Sequence, residues 1–178
     1  MLKLVKPCLE MKKLIAPYVE DYREDTSLFK VNMPKNLLAY WDDDDFSGYV
    51  ENLRYKETSE DLPNGYVNSS TYWLMNDEEH LGMFEIRHKL TPKLIQQGGN
   101  IAYTVAPSQR GKGYAVNGVE LCLREARKLG LKEVLITCDA GNEISFKVIQ
   151  KAINLFGGYW LEDSFVDGHK EHRGFVKV

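Results

Sequence analysis

Residues 100–130 place an apolar segment, a glycine-rich basic loop and an amphipathic helix in direct succession, and this unit constrains the fold more than any other part of the chain. The segment GNIAYTVAP is typical of a strand that stops at Pro107. Residues 114–129 carry apolar side chains at helical spacing, and Gly130 follows at the position where helices commonly end. The pattern therefore predicts a strand, a tight loop and a helix.

The loop, PSQRGKGYA, has the composition of an anion-binding site. A helix N-terminus presents unpaired backbone N–H groups and the positive end of the helix dipole. Gly111 and Gly113 can adopt positive φ and allow a ligand to approach the backbone closely, while Arg110 and Lys112 add positive charge. A phosphate-bearing ligand fits these features. The alternative is an ordinary strand-to-helix turn with solvated basic side chains.

Three phosphate-binding motifs compete for this loop. The P-loop pattern fails, because Ala106 and Gly113 stand where it requires a glycine and a serine or threonine. The dinucleotide fingerprint G-x-G-x-x-G matches Gly111 and Gly113 but has Val116 in third place. Its ribose-binding acid would be Asp139, which lies 28 positions after Gly111 (139 − 111), so a nicotinamide-dependent enzyme is a disfavoured alternative. The third pattern is R-x-x-G-x-G/A.

The remaining elements indicate one α+β domain over residues 1–178, in three segments. Residues 1–62 predict two or three short helices. The core, 69–158, begins with a hairpin whose turn lies at 77–79, and residues 83–88 alternate, which predicts one apolar and one polar side for its second strand. After the helix of residues 114–129 come a buried strand (EVLITC) and a second helix (NEISFKVIQKAINLF). Residues 159–178 predict a C-terminal hairpin.

Composition excludes several classes of protein. The net charge of −3 argues against nucleic acid as a partner, and no run approaches the roughly 20 apolar residues of a membrane helix. Cys8, Cys122 and Cys138 are odd in number and form no C-x-x-C pair, which predicts reduced thiols in a cytoplasmic protein. His169 and His172 lack the neighbouring ligands of a metal motif, so no metal is expected.

The third loop pattern is matched by Arg110, Gly113 and Ala115, and here the chain resembles the GNAT superfamily of acyl-CoA-dependent N-acetyltransferases. The stretch VLITCDAGNEISFKVI is similar to the strand and helix that follow in this family, with Asn142 and Ser145 at the N-x-x-S/A spacing. Residues 65–90 and 98–103 further resemble a bacterial subgroup of mostly unassigned substrate. The resemblance covers roughly residues 62–158.

The resemblance implies a mixed, mostly antiparallel sheet with a central parallel β-α-β unit that binds acyl-CoA, flanked by helices. Residues 1–62 become the substrate-side segment and 69–158 the acyl-CoA-binding core. The pantetheine is expected between the strands at 100–106 and 133–138, and a backbone N–H at or near Val105 is expected to polarise the acetyl carbonyl. The implied cofactor-binding residues are Tyr103, Thr104, Val105, Arg110, Gly111, Lys112, Gly113, Tyr114, Ala115, Asn142 and Ser145.

The catalytic groups are less defined. An amine must lose a proton before it attacks a thioester, and the candidate bases are Glu85, His88 and Tyr103. On a regular strand Glu85 and His88 point to opposite sides. The tyrosine that many family members use as general acid is replaced by Ile149, and the histidine frequent in the subgroup is replaced by Asn100.

The resulting hypothesis is an N-acetyltransferase that moves the acetyl group of acetyl-CoA to a primary amine of a small molecule by direct attack of the amine on the thioester. The alternative is a non-catalytic acyl-CoA-binding or sensor module on the same fold. The expected partners are acetyl-CoA and an unidentified amine, with homodimers common in the family.

Overall fold

The computed structural model describes residues 1–27, 31–77 and 79–178, so Glu78 of the predicted 77–79 turn and residues 28–30 of the N-terminal segment lie outside the described residues. The described helices are α1 Lys12–Arg23, α2 Asn32–Asp42, α3 Phe46–Thr58, α4 Pro92–Gln96, α5 Tyr114–Lys128 and α6 Glu143–Phe156. The strands are β1 Leu2–Val5, β2 Ser69–Asn76, β3 Glu79–Arg87, β4 Ile101–Val105, β5 Glu133–Asp139, β6 Gly158–Trp160, β7 Ser164–Val166 and β8 His169–Lys177. None of the described helices is long and apolar enough to cross a membrane.

The strands form two four-stranded antiparallel sheets. The first has the order β1-β2-β3-β4; in the second, β8 pairs with β5, β6 and β7. Every ladder among the described strands is antiparallel. The sequence predicts that β4, α5 and β5 form a central parallel unit, and the three elements do follow one another, but β4 and β5 share no ladder. The two sheets therefore meet along β4 and β5 without a ladder of backbone hydrogen bonds between these strands.

Two apolar clusters hold helices against the sheets. In the first, buried residues of both sheets, such as Phe84 and Ile136, pack with Val119 of α5 and Ile149 of α6; we call this side the α5–α6 face. In the second, α1, α2 and α3 cover the other side of the first sheet around Trp73. Both faces of β3 are therefore largely buried. The predicted polar side of β3 is wrong for Met83, because three N-terminal helices cover that face.

Three parts of the chain differ from the sequence-based expectation. Strand β1 pairs with β2 over Leu2–Val5, and α4 is a short helix capped by Thr91, whose side chain accepts a hydrogen bond from the Leu94 N–H at 3.2 Å. Instead of a simple hairpin over 159–178, β6 and β7 both pair with β8. These elements are three to five residues long, apart from β8, so they carry too little periodicity to be predicted.

The second cluster contains a fully buried histidine, His80 on β3. Its Nε2 lies 2.7 Å from the Tyr22 hydroxyl of α1, and its ring packs edge-on against Trp73 at 5.2 Å. Nδ1 has no hydrogen-bond partner in the described structure. Burial lowers the pKa of His80 to about 3. The side chain is therefore neutral in the folded protein and anchors α1 to β3.

This burial predicts a pH-dependent stability. In the unfolded chain the pKa of His80 returns to about 6.5, so between that pH and pH 3 only the unfolded state binds the proton. The free energy of unfolding should therefore fall as pH falls, by about 1 kcal/mol from pH 7 to 5.5 on this account. Urea unfolding should show this loss in the wild type and not in His80→Gln. The exposed His169→Gln is the control, and equal slopes in wild type and His80→Gln would contradict the assignment.

Candidate active site

The side chain of Asn100 joins the two sheets at one point. It is buried, its Oδ1 accepts a hydrogen bond from the Leu135 N–H of β5 at 2.9 Å, and its Nδ2 donates to the Arg87 carbonyl of β3 at 3.0 Å. Its own N–H donates to the Leu135 carbonyl at 2.7 Å. Beyond this junction no ladder links β4 to β5 in the described structure. We call the space between the two strands the β4–β5 cleft.

The two glycines that precede Asn100 carry the chain across β5 to the junction. Gly99 has φ +58°, and a Cβ there would lie 2.3 Å from the Leu135 carbonyl oxygen. The Gly98 N–H donates to Thr137 Oγ1 at 2.8 Å, while both glycine carbonyls accept from the Arg87 guanidinium at 2.7 and 3.1 Å. The backbone approaches β5 too closely here for any larger residue at position 99.

The edge of β4 that faces the cleft carries backbone groups that no described strand pairs, and the Val105 carbonyl among them accepts a hydrogen bond from Arg110 Nε at 3.3 Å. The Ala106 N–H donates to Leu81 of β3 at 2.9 Å, and the Asn100 carbonyl accepts from the Arg87 N–H at 2.7 Å. Because backbone groups alternate along an antiparallel strand, the Thr104 backbone points to β3, whereas the backbones of Tyr103 and Val105 point into the cleft. Of the three predicted pantetheine residues, two therefore present backbone groups to the cleft.

The glycine loop opens at the end of β4 and leads into α5. Gly111 and Gly113 have φ +77° and +83°, and a Cβ at either position would meet no atom within 4 Å. Gly113 is the N-cap of α5, and its carbonyl accepts from Val116 and Asn117. The space in front of the helix N-terminus is therefore open, as the sequence predicts for an anion site. Tyr114 and Ala115 are the first residues of the helix.

The basic side chains of the loop are engaged with the protein. Arg110 forms two hydrogen bonds with the Asp25 carboxylate, at 2.8 and 2.9 Å, and this pairing holds the pKa of Asp25 well below its usual range. One turn earlier on α1, Asp21 accepts hydrogen bonds from the backbone N–H and hydroxyl of Ser108. Lys112 Nζ donates a hydrogen bond to Gln109 Oε1 at 2.8 Å. Asp21 on α1 and Asp25, two residues past the end of α1, therefore hold the loop at two points, which sequence spacing could not have indicated.

Tyr103 connects β4 to the start of α6 on the α5–α6 face. Its hydroxyl lies 2.8 Å from Ser145 Oγ, and its ring stacks on Phe84 at 5.7 Å. Burial raises the pKa of Tyr103 well above its ordinary value. Asn142 caps α6 by accepting a hydrogen bond from the Ser145 N–H at 3.1 Å. The predicted residues Tyr103, Asn142 and Ser145 therefore lie together, and helix capping explains part of the N-x-x-S spacing.

Glu85 and His88, the other candidate bases, have different surroundings. Glu85 points to the side opposite the α5–α6 face and pairs with Arg87 at 3.0 Å. His88 Nε2 lies 2.9 Å from Ser70 Oγ, which donates to Glu57 at 2.6 Å, and burial lowers the pKa of His88. The predicted opposite orientation agrees with these contacts. Glu85 pairs in register with Ala102 of β4, the strand that borders the cleft, whereas His88 follows the end of β3.

Ile149, at the position of the usual tyrosine, is fully buried in α6. A Cβ on Gly174 of β8 would lie 2.6 Å from Ile149 Cγ2, so the two residues pack directly against each other. Position 149 therefore supplies no proton donor, because the isoleucine side chain has no acidic hydrogen and is packed among apolar groups. Asn100, likewise, is fully committed to the junction between the sheets.

Two sheets opened along β4 and β5, with a glycine-rich helix N-terminus at the end of β4, are typical of the acyltransferase fold that the loop motif suggests. The family model "Acetyltransferase (GNAT) domain" matches residues 16–152. The chain therefore belongs to the GNAT acetyltransferases. Among curated proteins no relative matches it.

Solved structures share the fold at low sequence identity. The ribosomal L7/L12 alpha-N-protein acetyltransferase RimL in complex with coenzyme A has a TM-score of 0.67 and 14% identity, covering 99% of this chain and 94% of that one. The spermidine N-acetyltransferase from Vibrio cholerae in complex with CoA and spermine has a TM-score of 0.58 and 13% identity, over 99% and 95%. A putative GNAT-family acetyltransferase from Bordetella pertussis has a TM-score of 0.60, 13% identity and coverage of 98% and 95%.

The junction predicts a large effect for Asn100→Ala. The change leaves the Leu135 N–H and the Arg87 carbonyl without their buried partner, at a cost of about 1–3 kcal/mol for each group. Urea unfolding should report a loss of roughly 2–5 kcal/mol. Asn64→Ala, in an exposed turn, should change stability by less than about 0.5 kcal/mol. A loss of that small size at Asn100 would show that the sheets are held together by other contacts.

Proposed function

We propose that the chain transfers the acetyl group of acetyl-CoA to a primary amine of a small molecule by direct attack of the amine on the thioester. The observation that carries this proposal is the β4–β5 cleft, where an edge of β4 that no described strand pairs leads to an open helix N-terminus. The family supports acetyl transfer, and two proteins of the same fold were solved with coenzyme A. One of these is named for a protein substrate and the other for a polyamine, so the fold accommodates both acceptor classes.

The residues around the cleft fit the chemistry of a pantetheine arm and a pyrophosphate. The backbones of Tyr103 and Val105 would pair with the amides of the arm as a neighbouring strand does, while Thr104 would contribute only its side chain. The pyrophosphate would accept hydrogen bonds from the backbone N–H groups of the loop and of the first turn of α5. These groups belong to Arg110, Gly111, Lys112, Gly113, Tyr114 and Ala115. Asn142 and Ser145 would contact the arm from α6.

Backbone N–H groups carry most of this binding in our proposal. The Arg110 guanidinium is held by Asp25 and is therefore less available as a counter-charge for phosphate. The Val105 N–H would donate to the thioester carbonyl and stabilise the negative charge that develops there. A fixed backbone donor needs no reorganisation during the reaction, which is the physical basis of its effect.

Glu85 and Tyr103 would divide the proton transfers between them. Glu85 lies beside the cleft on the face opposite α6 and would accept the proton of the attacking amine, directly or through water. Tyr103 is the other predicted base, but its raised pKa keeps the phenol protonated, so in our proposal its hydroxyl donates a hydrogen bond to the departing thiolate. His88 is bonded to Ser70 and is a weaker candidate for the base.

The alternative function, a non-catalytic acyl-CoA-binding module, is favoured by one observation: Ile149 removes the usual proton donor. The two functions differ in one measurable property, because only the enzyme releases free coenzyme A thiol when acetyl-CoA and amines are mixed with the protein.

Under either function, we place the activity within a single domain spanning residues 1–178. Three free cysteines, two of them buried, fit the reducing conditions of a cytoplasm.

The cofactor site is tested by Gly113→Trp. The new side chain would occupy the open space in front of α5 and block the phosphates, so calorimetric titration should show no acetyl-CoA binding. Gly130→Trp is a matched control, because Gly130 has φ +82°, an equally open Cβ position, and lies at the other end of the same helix. It should bind acetyl-CoA as the wild type does. Equal binding by both variants would remove the glycine loop from the site.

The proton donor is tested by Tyr103→Phe, which keeps the stack on Phe84 and removes only the hydroxyl. We expect kcat to fall by up to about 100-fold, the low end for acid–base catalysis, because a thiolate is already a good leaving group. The KM for acetyl-CoA should stay within a factor of about two of the wild-type value. Tyr159→Phe, on an exposed tyrosine, is the control. An unchanged kcat would assign the proton to water.

A further inference from the structure

Glu171 on β8 is a buried carboxyl group without a cation in the described parts of the chain. The residue is 4% exposed, and its Oε1 accepts a hydrogen bond from Gln97 Nε2 at 2.8 Å. No described residue donates a hydrogen bond to Oε2 or forms an ion pair with the group. Buried carboxylates are ordinarily paired with a positive charge, because an unpaired one is strongly destabilising. Oε2 is therefore open to a positively charged donor from outside the described chain.

The basic side chains around Glu171 are engaged elsewhere. The four basic side chains within two positions of Glu171 on β8 have other partners: Asp163 for both Lys170 and His172, Asp139 for His169, and the Glu162 and Ile95 carbonyls for Arg173. Arg87, which binds the neighbouring glycines, pairs with Glu85. The other titratable group directly across the ladder is acidic, since Glu171 pairs in register with Asp139 of β5. The surroundings of Glu171 therefore favour a positively charged ligand.

Glu171 lies beside the cleft, on the same face as Glu85. Gly174 of β8 contacts Ile149 of α6, so by strand alternation Glu171 points away from α6. Its partner Gln97 is followed by Gly98, whose N–H binds Thr137 of β5 next to the junction of the sheets. Two carboxyl groups thus flank the cleft on this face. Glu85 has a cation in Arg87, and Glu171 has none.

We propose that Glu171 binds a positive charge of the acceptor, an inference that rests on the proposed acetyl transfer. That charge does not belong to the nitrogen that reacts. A neighbouring carboxylate stabilises the protonated form of an amine, whereas the attacking nitrogen has to be neutral. The charge bound by Glu171 therefore belongs to a second group. The acceptor class is therefore an amine that carries a second cationic group. Gln97 bonds only Oε1 of Glu171, so Oε2 is available for that group.

The experiment compares 1,4-diaminobutane with 1-aminobutane, which lacks the second charge. Each amine is titrated calorimetrically into protein saturated with coenzyme A. Glu171→Gln keeps an oxygen that can accept the Gln97 hydrogen bond but loses the charge, and Glu171→Asp keeps the charge on a shorter side chain. Glu133→Gln, at the exposed far end of β5, changes the net charge equally and is the control. Coenzyme A affinity and the unfolding midpoint report whether each variant is folded.

We expect the diamine to bind the wild type and Glu133→Gln, and to bind Glu171→Gln at least tenfold more weakly, with a smaller loss in Glu171→Asp. Coenzyme A affinity should not change. The inference is overturned if the diamine binds the wild type no better than the monoamine does, or if Glu171→Gln retains the diamine affinity. Diamine binding through Glu171 without release of thiol from acetyl-CoA would overturn the proposed enzyme activity and leave the Glu171 site standing. Acetyl transfer to amines at the same rate in the wild type and Glu171→Gln would support the enzyme activity and overturn the Glu171 site.

Discussion

The contact between Asn100 and Leu135 is the constraint on which the rest of the site depends. One buried amide satisfies backbone groups of β3 and β5 together, so it fixes where the two sheets meet and where they part. Past that point no described strand pairs with the backbone N–H and C=O groups on the outer edge of β4, whereas a globular protein ordinarily pairs or covers such an edge. An edge left open inside a domain requires a rigid junction at one end, because otherwise β4 and β5 could close into a continuous sheet. A ligand that runs along the edge like a strand would satisfy these groups.

Helix α1 supports the other end of the cleft. Tyr22 anchors it to the buried His80, Asp21 holds Ser108, and Asp25 holds Arg110. Asp21 and Tyr22 lie in the last turn of α1 and Asp25 lies two residues past its end, so a displacement of this end of α1 would move the glycine loop with it. In our proposal α1 also borders the space that the amine enters. The position of the cofactor loop and the shape of the acceptor site would then be coupled through one rigid element.

The sequence predicted the parts of this architecture that have local signals. Gly111 and Gly113 need positive φ, and the apolar spacing of α5 and α6 is regular, so the loop and both helices could be located before the structure was known. The pairings between distant segments had no such signal. Asp25 and Arg110 are 85 positions apart, and Glu171 and Gln97 are 74 apart. Short elements such as α4 were not predicted either. The second face of β3 is buried by the N-terminal helices, and no periodicity within β3 could indicate that these helices pack there.

The replacement of the usual tyrosine by Ile149 has a packing cause in this chain. Gly174 has no side chain, and Ile149 fills the space above it with a methyl group that a Cβ on residue 174 would meet at 2.6 Å. A phenol at position 149 would need that space and would bury its hydroxyl among apolar groups, at a cost unless a partner were present. The hydroxyl of Tyr103 instead reaches α6 from β4 and finds such a partner in Ser145. A proton donor supplied by the strand rather than by the helix is therefore compatible with the packing of α6 against β8, whereas one at position 149 is not.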